Sequence, residues 1–210
     1  MGTATLVKRF LRCDPHWPEG TPPDVLLTRT IYGGVSFVAF PDLWPYVGHC
    51  LELGLDINLV IARESGDPAQ YYDWATSDWM IPRMVWTIGN EPTSTGPSSW
   101  RMTPDEYRSL WTKCRRLHGA RWVAGMADGD PEQAKPYLQP DMDGLTVHIY
   151  TLSPTQAKQK VKDYQALEHK VRIGETHAAT GYRLSDYTWS VDVTDFCYSE
   201  KMVEGFGLYA

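Results

Sequence analysis

Short apolar runs alternate with amphipathic stretches along most of the chain. The runs 56–62, 83–89, 121–125, 144–150 and 170–174 are rich in Val, Ile and Thr and nearly continuous in hydrophobicity. Strands of a parallel sheet have this character, because helices cover them and both faces are buried. Two further candidates, 4–11 and 25–32, come earlier, and 205–209 comes last. Three intervening segments open in one way: Thr103-Pro104-Asp105-Glu106, Asp130-Pro131-Glu132-Gln133 and Ser153-Pro154-Thr155-Gln156. Each sets a capping side chain, then Pro at the first helical position, then Glu or Gln able to reach back to the cap amide. The first predicts a helix to about His118, with Tyr107, Leu110, Trp111, Cys114 and Leu117 on one face and Gly119 ending it. The third predicts a helix to about Glu168, with Ala157, Val161, Tyr164 and Leu167 turned inward. An earlier helix, 42–53, closes at Gly54.

About eight strand–helix units result, and 210 residues suit one domain rather than two. The expected fold is α/β: a compact (β/α)8 TIM barrel over 1–210, trimmed of its first and last helices. The trimming is expected because 14–24 carries four prolines and 205–209 is followed by too little chain for an eighth helix. A doubly wound open sheet is the competing architecture. It would normally show a Gly-rich phosphate turn after its first strand, for which Gly33-Gly34 is a weak match.

Charge narrows the partners. A net charge of −6 leaves no basic field for a phosphate backbone, which argues against nucleic acid and anionic membrane surfaces. No apolar run nears the roughly 20 residues of a membrane span. Lys8, Arg9 and Arg12 sit inside a mixed segment rather than ahead of an apolar one, so no export signal is read there. The sequence leaves localisation open, compatible with a cytoplasmic or virion-associated protein, and leaves the oligomeric state open with a monomer as default. The four cysteines are scattered without CxxC spacing and read as reduced and structural, and no cofactor or metal is implied. Nine Trp and twelve Tyr against five Phe suit half-wet clefts that stack on sugar rings, although most such rings fill core.

In a TIM barrel the chemistry sits at the C-terminal ends of the strands. Three groups fall there: Asn90-Glu91-Pro92, His148-Ile149-Tyr150 and Glu175-Thr176-His177. Two glutamates at one barrel mouth are what glycosidic cleavage needs, one protonated to donate to the leaving oxygen and one ionised to attack the anomeric carbon. Retention requires carboxyls about 5–5.5 Å apart and inversion about 6.5–9.5 Å.

Trp86-Thr87-Ile88-Gly89-Asn90-Glu91-Pro92 resembles the fourth-strand signature of the clan A glycoside hydrolases. Ile173-Gly174-Glu175-Thr176-His177 resembles their seventh-strand nucleophile motif, and His148-Ile149-Tyr150 their sixth-strand His-x-Tyr. The likeness extends over about 56–178. It implies Glu91 as acid/base, Glu175 as nucleophile, Asn90 on the sugar 2-hydroxyl, Tyr150 holding the nucleophile, and His148 and His177 lining the site. It also suggests Arg29, near the end of strand two, as that group's early arginine. The sequence departs from the group after strand eight, where Gly207-Leu208-Tyr209-Ala210 lacks the usual Trp platform. The loops 64–80, with Tyr71, Tyr72, Trp74 and Trp79, 93–102 and 178–189 offer Trp74, Trp100 and Trp189 as sugar platforms.

Blander readings stand beside these. Glu91 could cap the segment before Pro92 and Glu175 could pair with an arginine. His148 and His177 could bind a metal with Glu175, although no early His-x-His supports it. The same barrel could serve as a weak or silent glycan-binding module of a larger assembly.

Overall fold

A computed structural model describes residues 8–13, 34–72, 83–94, 101–118, 120–126, 130–150, 153–177 and 203–209. Eight strands run through it: β1 (Lys8–Cys13), β2 (Gly34–Val38), β3 (Asp56–Ile61), β4 (Met84–Asn90), β5 (Ala120–Met126), β6 (Gly144–Tyr150), β7 (Val171–His177) and β8 (Val203–Tyr209). All pair in parallel in chain order, and β1 also pairs with β8, closing a barrel.

The strand paired between β1 and β3 is Gly34–Val38, in register with Asp56–Val60, and the expected run 25–32 lies outside the described residues. The seventh strand does not stop at Gly174 but continues through Glu175, Thr176 and His177. The segments meant to lack the first and last helices lie largely outside the described residues.

The helices follow their caps. In α1 (Trp44–Glu52), Gly54 at φ 80° lets the chain reverse, with Gly54 N–H donating to Leu51 O and Leu55 N–H to Cys50 O. A 3₁₀ turn, Pro41–Leu43, precedes this helix where a continuous α-helix was expected. Both α2 (Pro104–Lys113) and α4 (Pro154–Gln165) start on complete capping boxes, Thr103 with Glu106 and Ser153 with Gln156. The Asp130 start differs: Asp130 accepts from the Glu132 amide, and α3 (Pro131–Ala134) passes at once into a 3₁₀ turn. No described helix is long and apolar enough to cross a membrane.

Strand alternation divides the buried residues into two sets. Ile57, Leu59 and Ile61 of β3, Trp86 and Ile88 of β4, Val147 and Ile149 of β6, and Val171 and Ile173 of β7 form one cluster with helix residues. Val47 and Cys50 of α1, Tyr107 and Trp111 of α2, and Val161 and Tyr164 of α4 are their partners there. The alternate positions face into the barrel. They include a small apolar cluster of Val38, Val60 and Ala62, and also buried Asn58, Thr87, Thr146, His148 and Arg172. Free Cys50 and Cys114 are buried, and desolvation pushes their thiols up to about 11 and about 12, so they behave as small hydrophobes.

Within the barrel, Asn58 Oδ1 accepts from Thr87 Oγ1 at 2.9 Å and from Arg172 Nη1 at 3.1 Å, tying β3 to β4 and β7. A hydrogen bond to a buried charge contributes about 1.5–3 kcal/mol, more than a neutral one. Asn58→Ala removes an acceptor shared by two donors and should cost about 3 kcal/mol. Urea unfolding measures this. A loss of only about 0.5 kcal/mol, the size of an ordinary surface change, would mean that the network does not hold the strands together.

Candidate active site

The site begins where β4 ends. Seven successive residues, Met84–Asn90, are buried. The backbone then twists through positive φ at Gly89 (85°) and again at Glu91 (42°). Glycine takes the first at no steric cost, whereas a residue with a Cβ takes the second at about 1–2 kcal/mol. Pro92 would ordinarily push the residue before it toward extended backbone, so Glu91 is held against its local preference. Strain of this kind persists only where surrounding structure enforces it.

Several contacts enforce it. The Ser94 amide donates to Glu91 O at 2.9 Å, closing a turn, and the Met102 amide donates to Pro92 O at 3.3 Å. From α2, the Tyr107 hydroxyl donates to Ile88 O at 2.5 Å inside the core. Tyr107→Phe should lower stability by about 1 kcal/mol, read from the urea midpoint, because it removes one buried donor without changing shape. An unchanged midpoint would show that the bond contributes nothing to holding the strand end.

Glu91 is only 8% exposed, and its Oε1 lies 2.8 Å from Nδ1 of His148, which is 3% exposed. Asn90 is buried beside it in the chain. With Glu91 ionised, the His148 Nδ1–H donates to Oε1. With Glu91 protonated on Oε2, the same bond persists and the proton sits on the other oxygen. One imidazole tautomer therefore holds the carboxyl in both states.

β6 and β7 bring in the third group. Their register runs Val147↔Ile173 and then His148↔Glu175, so β7 carries one extra residue, Gly174, at a bulge. This brings Glu175 level with His148, Thr176 with Ile149, and His177 with Tyr150. The ends of β4, β6 and β7 thus carry all three strand-end motifs, with His148 linked to Glu91 by its side chain and to Glu175 by strand register.

No known family profile matches the chain, and no curated protein matches it in sequence. Solved structures do match it. A GH128 (subgroup II) endo-β-1,3-glucanase from Pseudomonas viridiflava aligns at TM-score 0.71 and 12% identity, covering 98% of this chain and 87% of that one. A GH128 (subgroup I) endo-β-1,3-glucanase from Amycolatopsis mediterranei, in complex with laminaritriose, aligns at 0.64 and 12%, covering 97% and 88%. Endoglucanase Cel5A from Thermotoga maritima aligns at 0.64 and 12%, covering 94% and 88%. The fold is that of clan A glycoside hydrolases. At such low identity the likeness carries the fold and leaves the activity to be argued from the residues.

The other expected residues separate into two groups. Trp74, Trp100 and Trp189 lie outside the described residues. So does Arg29. Tyr71 and Tyr72 of the 64–80 loop turn out to be scaffold. Tyr71 is fully buried with its hydroxyl within reach of Ser65 O (2.8 Å) and Ala39 O (3.0 Å), and Tyr72 donates to Lys113 O. Sequence reasoning overlooked Asn58, Thr87 and Arg172, whose signal was a polar residue flanked on both sides by large apolar residues of its strand.

Proposed function

We propose that this protein is a retaining glycoside hydrolase on a compact (β/α)8 barrel, with Glu91 as acid/base and Glu175 as nucleophile, acting on a β-glucan. The observation that carries the reading is the buried, backbone-strained Glu91 bonded to His148, whose register neighbour is Glu175. A carboxyl capping a loop has no need of a buried imidazole partner or of positive φ. Enclosed groups held on a strained backbone cluster at reaction centres.

The chemistry runs in two balanced steps. Glu175 attacks the anomeric carbon as the glycosidic C–O bond breaks, and the proton on Glu91 Oε2 passes to the departing oxygen. The products are a glycosyl ester on Glu175 and a free sugar hydroxyl. Glu91, now ionised, takes a proton from water as that water attacks the same carbon and the ester bond to Glu175 breaks. Each step displaces at the anomeric carbon once, so configuration is retained. His148 keeps Oε1 occupied throughout, which leaves Oε2 as the oxygen that exchanges the proton. Asn90 is the proposed partner of the sugar 2-hydroxyl and Tyr150 of the nucleophile carboxylate. His177 lines the site, and Trp74, Trp100 and Trp189 supply stacking faces.

The glucan assignment follows from what the structural neighbours are named for, β-1,3-glucan for two of the three above. Reducing-sugar release from β-1,3-glucan, cellulose, mixed-linkage glucan and bacterial wall polysaccharide tests it. Release from a β-glucan supports the proposal, whereas silence on all four with retained binding would make the barrel a glycan-binding module instead.

A further inference from the structure

We propose that Gly174 is a positioning residue of this site: the absence of its side chain is what lets the His148 ring lie where Nδ1 reaches Glu91. The inference rests on the reading of Glu91 as the acid/base. A Cβ placed on Gly174 would come within 3.1 Å of both Cδ2 and Nε2 of His148, and closer still to Thr146 Cγ2. Those two ring atoms form the edge of the imidazole opposite Nδ1, which lies 2.8 Å from Glu91 Oε1. The ring therefore fills the gap between the carboxyl after β4 and the backbone of β7, and any group added at 174 pushes it from behind.

Little else can give way. Thr146 and His148 are buried on β6, and that strand is bonded to both β5 and β7. Thr146 is β-branched and stiff at χ1. The ring of His148 can rotate, at the cost of its bond to Glu91. Gly174 is also the extra residue of the β7 bulge that sets Glu175 level with His148. One glycine therefore serves both glutamates: its bulge sets the register of Glu175, and its lack of a Cβ sets the ring that holds Glu91.

The test separates this role from plain packing. Gly174→Ala, Thr146→Ser and the double variant are compared with the wild type by urea midpoint, by kcat and KM on the glucan it cleaves, and by ¹⁵N-imidazole spectra. His148 is assigned from the signal lost in His148→Gln. Thr146→Ser removes only the Cγ2 that the new methyl would strike hardest. In the double variant the midpoint should recover most of its loss. Its His148 signals should stay displaced and its kcat should remain about 10- to 100-fold low with KM little changed, the size of effect that a displacement near 1 Å produces. A double variant with wild-type ring signals and wild-type kcat would overturn the proposal, because Gly174 would then only make room for Thr146. Should Gly174→Ala alone fail to fold, the double variant carries the comparison. Should the wild type cleave no glycan, the active-site reading falls, while the ring signals still decide whether Gly174 places His148.

Discussion

Glu91→Gly will be more stable than Glu91→Ala by about 1 kcal/mol, the reverse of the usual order for these two residues. Both variants lose the carboxyl, its bond to His148 and the same buried contacts, so those terms cancel in the comparison. What remains is backbone. At φ 42° a Cβ costs about 1–2 kcal/mol, and glycine escapes that cost. Against this stands the greater freedom of glycine in the unfolded chain, about 0.4–1 kcal/mol. The strain term wins, and for a chain of this length the melting temperatures should differ by about 2–4 °C. Both variants should lose about 10²–10⁴-fold in turnover of a natural glucan, the range for removing a general acid. With a dinitrophenyl glycoside the leaving group needs no proton, so the first step should survive far better. Equal losses on both substrates would mean that Glu91 does not act as an acid.

The second large effect belongs to Glu175→Gln. This change keeps shape but replaces the anionic carboxylate by a neutral amide, whose oxygen is too weak a nucleophile to form the ester. Turnover should fall by about 10⁴-fold or more, with oligosaccharide binding retained, because the lost interaction exists only in the transition state. Calorimetric titration beside the rate assay separates the two. A parallel loss of binding would make Glu175 a substrate contact, and a loss under about tenfold would place the nucleophile elsewhere.

Much of this site was legible because the chemistry of a barrel sits at strand ends, where a few polar residues interrupt an apolar run. Asn90-Glu91-Pro92 and His148-Ile149-Tyr150 stand out for that reason. The extent of β7 was not legible, since Glu175, Thr176 and His177 are polar and the apolar run stops before the backbone pairing does. Nor was β2: Gly34–Val38 offers only a short apolar run interrupted by Ser36, and its pairing with β3 is what marks it as a strand. The φ of Glu91 runs against what Pro92 predicts locally, so tertiary contacts such as the Tyr107 bond to Ile88 must supply it. The inward polar residues were hidden by a different cause. Asn58 and Arg172 are 114 positions apart in the chain, and nothing local announces that they meet.

The roles of the two glutamates are tested most directly by chemical rescue with azide on an activated β-glucoside. Removing the carboxyl of Glu175 by Glu175→Ala leaves a space from which azide can attack in place of the nucleophile, and the product should be the α-glycosyl azide. In Glu91→Ala the glycosyl ester still forms on Glu175 and azide attacks it in place of water, so the product should be the β-glycosyl azide. Proton NMR of the anomeric centre distinguishes the two. Opposite configurations in this order are the result predicted here. The same configuration from both variants, or the reverse order, would contradict the assignment of Glu175 as nucleophile and Glu91 as acid/base.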